Sequence, residues 1–193
     1  MSPGHLTRTL RDRGVRTVLN LRGANPDQSW YRDELAATRS AGATQVDVSL
    51  SSCIWMSRVQ LRTLVKALDE MTYPVLVHCS WGSERTGLVS AIAELLREGS
   101  TLDDARRQFT LWHLYAPVGD GRIMSEAIDQ YEGWLASQKL AHRPEHFRRW
   151  AESGYKPQDP SREAWPYDPY PLIVVTPPGA ETTASADGAT TRR

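Results

Sequence analysis

Tyr73-Pro74-Val75-Leu76-Val77-His78 runs without a break into Cys79-Ser80-Trp81-Gly82-Ser83-Glu84-Arg85-Thr86-Gly87, after which a helical pattern begins. This succession of apolar strand, short loop and helix constrains the fold more than any other part of the chain. A strand of consecutive apolar residues suits the interior of a parallel sheet, which is covered on both faces. Upstream, Val15 to Leu21 alternates with period two after Gly14, and Ala43 to Leu50 gives a second strand. Helical patterns cover 3–13 and 29–41, and another opens at Ser57-Arg58-Val59-Gln60, which has the form of a capping box. Beyond the loop, helical patterns cover 86–97, 101–113, 124–138 and 143–153, with Ser100 or Thr101 as a cap. Strands alternate with helices early, and helices dominate late. This order predicts an α/β fold: a central, mostly parallel sheet of about four strands flanked by helices, with a helical C-terminal half.

Length and composition set the frame around that core. A chain of 193 residues suits one substantial domain. Seven prolines fall between 157 and 178, and the last 18 residues are almost all Gly, Ala, Ser, Thr and charge. Such a segment buries too little apolar surface to offset its ordering entropy. The predicted division is a domain over 1–156 and a Pro-rich, largely disordered tail over 157–193, docked only through Trp165, Tyr167, Tyr170 or Leu172. Lysine plus arginine total 23 and aspartate plus glutamate 23, so the net charge is zero. That balance argues against a nucleic-acid or anionic-membrane partner. No apolar run approaches 18 residues and the first residues are polar, so neither a membrane span nor a signal peptide is expected, and the expected location is cytoplasmic. Cys53 and Cys79 cannot make a disulfide scaffold, and no Cys–His spacing suits structural zinc. No metal or other cofactor is expected; the composition leaves the oligomeric state open.

Cysteine followed six positions later by arginine is weak evidence alone. With 20 arginines in the chain, either cysteine would meet it by chance at roughly 10%. His before the Cys, Gly at the third following position and Thr after the Arg lower that to about one in a thousand. The chemistry that needs this pattern is anion binding. A loop closing onto a helix N-terminus turns the amides of Ser80, Trp81, Gly82, Ser83 and Glu84 inward, and the helix dipole adds positive potential. The same field favours a thiolate at Cys79. Arg85 can grip two phosphoryl oxygens, Gly82 permits the tight turn, and Thr86 can stabilise the sulfur as a leaving group. His78 can orient loop carbonyls from beneath.

His78-Cys79-x5-Arg85-Thr86-Gly87 resembles the signature of the cysteine-based protein tyrosine phosphatase superfamily, within its dual-specificity branch. Gly14-Val15-Arg16-Thr17-Val18-Leu19-Asn20-Leu21-Arg22 is similar to a strand of the atypical dual-specificity phosphatases of bacteria, fungi and plants. The resemblance spans about residues 5–137. It implies a metal-free, two-step phosphomonoester hydrolysis through a phosphocysteine on Cys79. The substrate would be a phosphorylated protein or a small phosphomonoester. Family members usually carry an opening strand ahead of the first helix, whereas here Met1-Ser2-Pro3-Gly4-His5 leads straight into it.

The resemblance also implies an aspartate about 30 residues before the cysteine as general acid, and Asp47 stands 32 before Cys79. Yet Gln45-Val46-Asp47-Val48-Ser49-Leu50 alternates cleanly, which alternatively makes Asp47 a solvent-facing strand residue. Glu84, inside the loop, is the rival acid; myotubularin-like lipid phosphatases carry an Asp at that place. Its alternative is a solvent-pointing residue paired with an arginine. Trp81 either flanks the pocket mouth or packs on a helix. Arg22 either extends phosphate recognition from the sheet edge or makes a surface ion pair. Cys53 is either a redox partner of Cys79 or an idle thiol. His113, with Trp112 and Tyr115, is expected to pack in the helical layer, and the stretch from His142 to Arg149 to form a solvated basic face. The loop holds no lysine, which weighs against the alternative of a lipid or inositol-phosphate phosphatase. A phosphate-binding pseudophosphatase and a rhodanese-type sulfurtransferase are the remaining alternatives.

Overall fold

The computed structural model describes residues 3–51, 54–109, 123–157 and 172–179. In chain order the elements are α1 (Pro3–Asp12), β1 (Thr17–Asn20), α2 (Ser29–Ser40), β2 (Thr44–Val48), α3 (Arg58–Glu70) and β3 (Val75–His78). Then follow α4 (Glu84–Leu96), α5 (Leu102–Arg106), α6 (Ile123–Gln138), α7 (Pro144–Arg149) with a π-helical turn over Trp150–Gly154, and β4 (Ile173–Thr176). The fold is the α/β arrangement read from the sequence. Ser57 caps α3 through the expected reciprocal bonds with Gln60, and Thr101 caps α5 in the same way with Asp104.

The sheet order is β3-β1-β2-β4. β1 pairs in parallel with both β2 and β3, placing Asn20 level with Asp47 on one side and His78 on the other. The chain moves from β1 to β2 through α2, then back past β1 to β3 through α3. A reversal of this kind puts right-handed crossovers on opposite faces of the sheet. It leaves a crevice at the carboxyl ends of β1 and β3, the usual place for a ligand in such sheets.

One face is apolar. Leu19, Leu21, Val46 and Val48 pack in a single core with Leu61, Leu64 and Leu68 of α3 and Leu88, Val89 and Ile92 of α4. Farther out, Tyr131 is fully buried with Phe147 edge-on at 5.0 Å and Trp150 at 5.3 Å. The expected basic face is therefore only partly solvated: Phe147 is buried, His142 packs edge-on against Tyr131 at 5.7 Å, and Arg148 pairs with Asp69 at 2.7 Å.

Two expectations need correction. Part of the Pro-rich tail is structured: Ile173–Thr176 is β4, antiparallel to β2 with Val175 opposite Val46. A β-branched run completes the sheet edge despite its proline-rich flanks. The second sheet face is not solvated, because α2 covers the Asn20, Gln45 and Asp47 side chains. Trp112, His113, Tyr115, Trp165, Tyr167, Tyr170 and Cys53 lie outside the described residues, and with them the readings placed there. Among the described residues, no helix is long and apolar enough to cross a membrane.

Candidate active site

β3 delivers Cys79 to the carboxyl edge of the sheet, and residues 80–83 turn the chain into α4. Gly82 has φ +70°, the left-handed region that a side chain disfavours, so the turn needs glycine there. Gly87 serves packing instead: a Cβ at this position would lie 3.2 Å from the Gln108 carbonyl, so its absence lets α4 seat closely.

The Cys79 sulfur sits in a shell of donors, and the residue as a whole is only 7% exposed. Burial pushes its pKa up; the Thr86 hydroxyl and the amides of Trp81, Thr86 and Gly82 more than reverse this, bringing it down to about 7. The buried Thr86 hydroxyl has no other partner. Alkylation of Cys79 by iodoacetamide, followed on its own peptide by mass spectrometry, should rise with pH to a plateau with its midpoint near 7. An ordinary thiol would respond at about 8.5, and Thr86→Ala should move the midpoint upward.

Arg85, on the first turn of α4, is fixed by backbone. Its Nη1 donates to the Leu21 carbonyl at 3.2 Å and the Leu50 carbonyl at 3.1 Å, while Nη2 donates to Ser80 Oγ at 3.1 Å. Nε is buried and has no partner. The anchored Nη1 leaves the Nε–Nη2 edge for a side-on grip on two oxygens. Ser83 is buried immediately before α4, and Glu84 is its half-buried first residue. Glu84 makes none of the described ion pairs, so the expected arginine pairing is not seen. Trp81 is 83% exposed and stands out from the loop, which removes the reading in which it packs on a helix. No cluster that could hold a metal ion is found among the described residues.

The structure brings Cys79, Ser80, Trp81, Gly82, Ser83, Glu84, Arg85 and Thr86 together and leaves Asp47 out. Asp47 is 0% exposed inside the domain, neither at a pocket mouth nor facing solvent. Its Oδ1 accepts from Asn20 Nδ2 at 2.8 Å and Gln45 Nε2 at 3.1 Å, and its Oδ2 from Tyr31 OH at 2.7 Å. Burial outweighs these three donors and holds its pKa above the usual carboxylate range. A proton donor must reach the leaving group, and this carboxyl is enclosed and fully engaged.

The network continues to the loop. Gln45 Nε2 also donates to Glu34 Oε1 at 2.9 Å, Glu34 Oε2 lies 3.0 Å from His78 Nε2, and His78 Nδ1 lies 3.4 Å from the Cys79 carbonyl. Burial opposes protonation of His78, but Glu34 beside it prevails and raises its pKa. Sequence reasoning missed Glu34. Its signal was indirect: polar residues in register on β1, β2 and β3 require polar partners if that sheet face is covered.

The family model described as Tc-R-P, polymorphic toxin system, DSP-PTPase phosphatase, matches residues 5–100, the stretch that holds β1, β2, β3 and the loop. No curated protein matches the chain. Over that segment the chain is similar to the dual-specificity-phosphatase-like cysteine phosphatases.

Proposed function

We propose that the chain hydrolyses phosphomonoesters through Cys79, most simply on a phosphorylated protein. The carrying observation is the convergence of Thr86 and three loop amides on one sulfur, beside the open edge of Arg85. In the first step the Cys79 thiolate attacks phosphorus and the ester P–O bond breaks. The leaving oxygen takes a proton from Glu84, the one carboxylate on the loop, and departs as alcohol or phenol. Arg85 and the loop amides hold the three phosphoryl oxygens, where charge accumulates. In the second step water attacks phosphorus and the S–P bond breaks. Thr86 and the amides receive the departing thiolate, the water proton returns to Glu84, and inorganic phosphate is released. The matched family is described as part of a polymorphic toxin system, and we read this chain as the phosphatase module of such a system.

Acid-quenching the protein during turnover of an aryl phosphate tests the mechanism. The Cys79 peptide should gain the mass of one phosphoryl group. Turnover with the phosphoryl group found only on another residue overturns it.

A further inference from the structure

Arg22 follows β1 by two residues, across the crevice from Cys79, and its backbone N–H donates to Asn20 Oδ1 at 3.0 Å. Its guanidinium carbon lies 3.4 Å from the centroid of the Trp30 ring. Stacking of this kind occupies the face of the guanidinium and fixes its plane, while leaving its N–H edges uncommitted. Among the described residues, no carboxylate lies within ion-pair distance of it. Burial lowers the Arg22 pKa and Glu34 raises it; the remaining influences come from Arg85 and Cys79, so its charge is felt at the loop.

A cavity of about 330 Å³, reaching the end of β3 at His78, is lined by Arg22, Ser29, Trp30, Asp33 and Glu34. Of its carboxylates, Glu34 acts on Arg22 through space without pairing with it. Both oxygens of Glu34 are engaged, by Gln45 and by His78, which opposes its charge. Asp33 is exposed on α2. Arg22 is thus a preoriented cation with no carboxylate at ion-pair distance among the described residues, in electrostatic range of a second guanidinium. Two like charges held near each other favour an anion that can answer both.

The geometry points to a second anion-binding site at Arg22, which reads a phosphate or carboxylate carried by the substrate next to its scissile phosphoryl group. This rests on the phosphatase reading and narrows it to phosphomonoesters with a second anionic group. The loop contains no lysine, and the cation that such a substrate needs comes from the end of β1 instead.

The test uses the full chain with Cys79→Ser and titration calorimetry. The ligands are phenyl phosphate and the three benzenediol bisphosphates, whose second phosphate stands at different distances. At least one bisphosphate should bind about ten-fold tighter than phenyl phosphate at low salt, with the gain shrinking as salt rises. Adding Arg22→Leu should erase the gain, and Arg22→Lys should restore part of it; phenyl phosphate binding by each variant reports that the loop is folded. A gain that survives Arg22→Leu, or no gain with any bisphosphate, overturns the second site. The phosphatase reading fails separately, if the unmodified chain releases no phosphate from phenyl phosphate.

Discussion

Replacing Cys79 with serine is expected to reduce phosphate release from an aryl phosphate by about four orders of magnitude or more, while inorganic phosphate still binds. The donors around position 79 lower a thiol to about 7, so near neutral pH a large fraction is already thiolate. An alcohol starts far higher, and the same donors leave it protonated, so serine brings neither a ready nucleophile nor a good leaving group. Binding depends on other atoms. The inward amides and the Nε–Nη2 edge of Arg85 do not rely on sulfur, and removing a thiolate beside a phosphate dianion removes a repulsion. Phosphate release by the two proteins, with calorimetric titration of inorganic phosphate, gives both readouts. Release by Cys79→Ser within tenfold of the parent chain would falsify the nucleophile assignment.

The loop was readable from sequence because its physics is local. A strand end, a glycine in the left-handed region, amides and a helix N-terminus occupy consecutive residues from His78 to Gly87, so their spacing carries the geometry. The capping box at Ser57, and a cap at Ser100 or Thr101, were readable for the same reason. What was missed is non-local. Alternation in β2 told that Val46 and Val48 share a face, but not that α2 covers the face holding Gln45 and Asp47. A polar helix reads as solvated unless its partners are known, and Tyr31 and Glu34 find theirs on strands from separate parts of the chain. β4 failed similarly: Ile173-Val174-Val175-Thr176 has strand chemistry, but its partner β2 lies more than a hundred residues earlier, and composition around it dominated the reading. Arg22 was singled out as a charge; only the fold shows it stacked on Trp30 and turned toward the crevice.

Asp47 supplies the sharpest separation between a catalytic and a structural carboxylate. Asp47→Ala is expected to destabilise the domain by about 3 kcal/mol, because the hydroxyl of Tyr31 and the amides of Asn20 and Gln45 lose their shared acceptor in a site closed to water. For a domain of this size that corresponds to a fall in Tm of roughly 10 °C, read by circular dichroism or calorimetry. The loss has a route to the loop, since Gln45 links Asp47 to Glu34 and Glu34 to His78. Leaving-group chemistry then distinguishes scaffold from acid. A missing proton donor costs little when the leaving phenol is acidic and progressively more as its pKa rises. Below its melting temperature, Asp47→Asn should keep the dependence on leaving-group pKa shown by the parent chain, whereas Glu84→Gln should steepen it. A series of substituted aryl phosphates measures both slopes. If Asp47→Asn steepened the dependence while Glu84→Gln left it unchanged, the buried carboxyl would have to reach the leaving oxygen during turnover. The strands carrying Asn20 and Asp47 would then have to open far enough to break its hydrogen bonds.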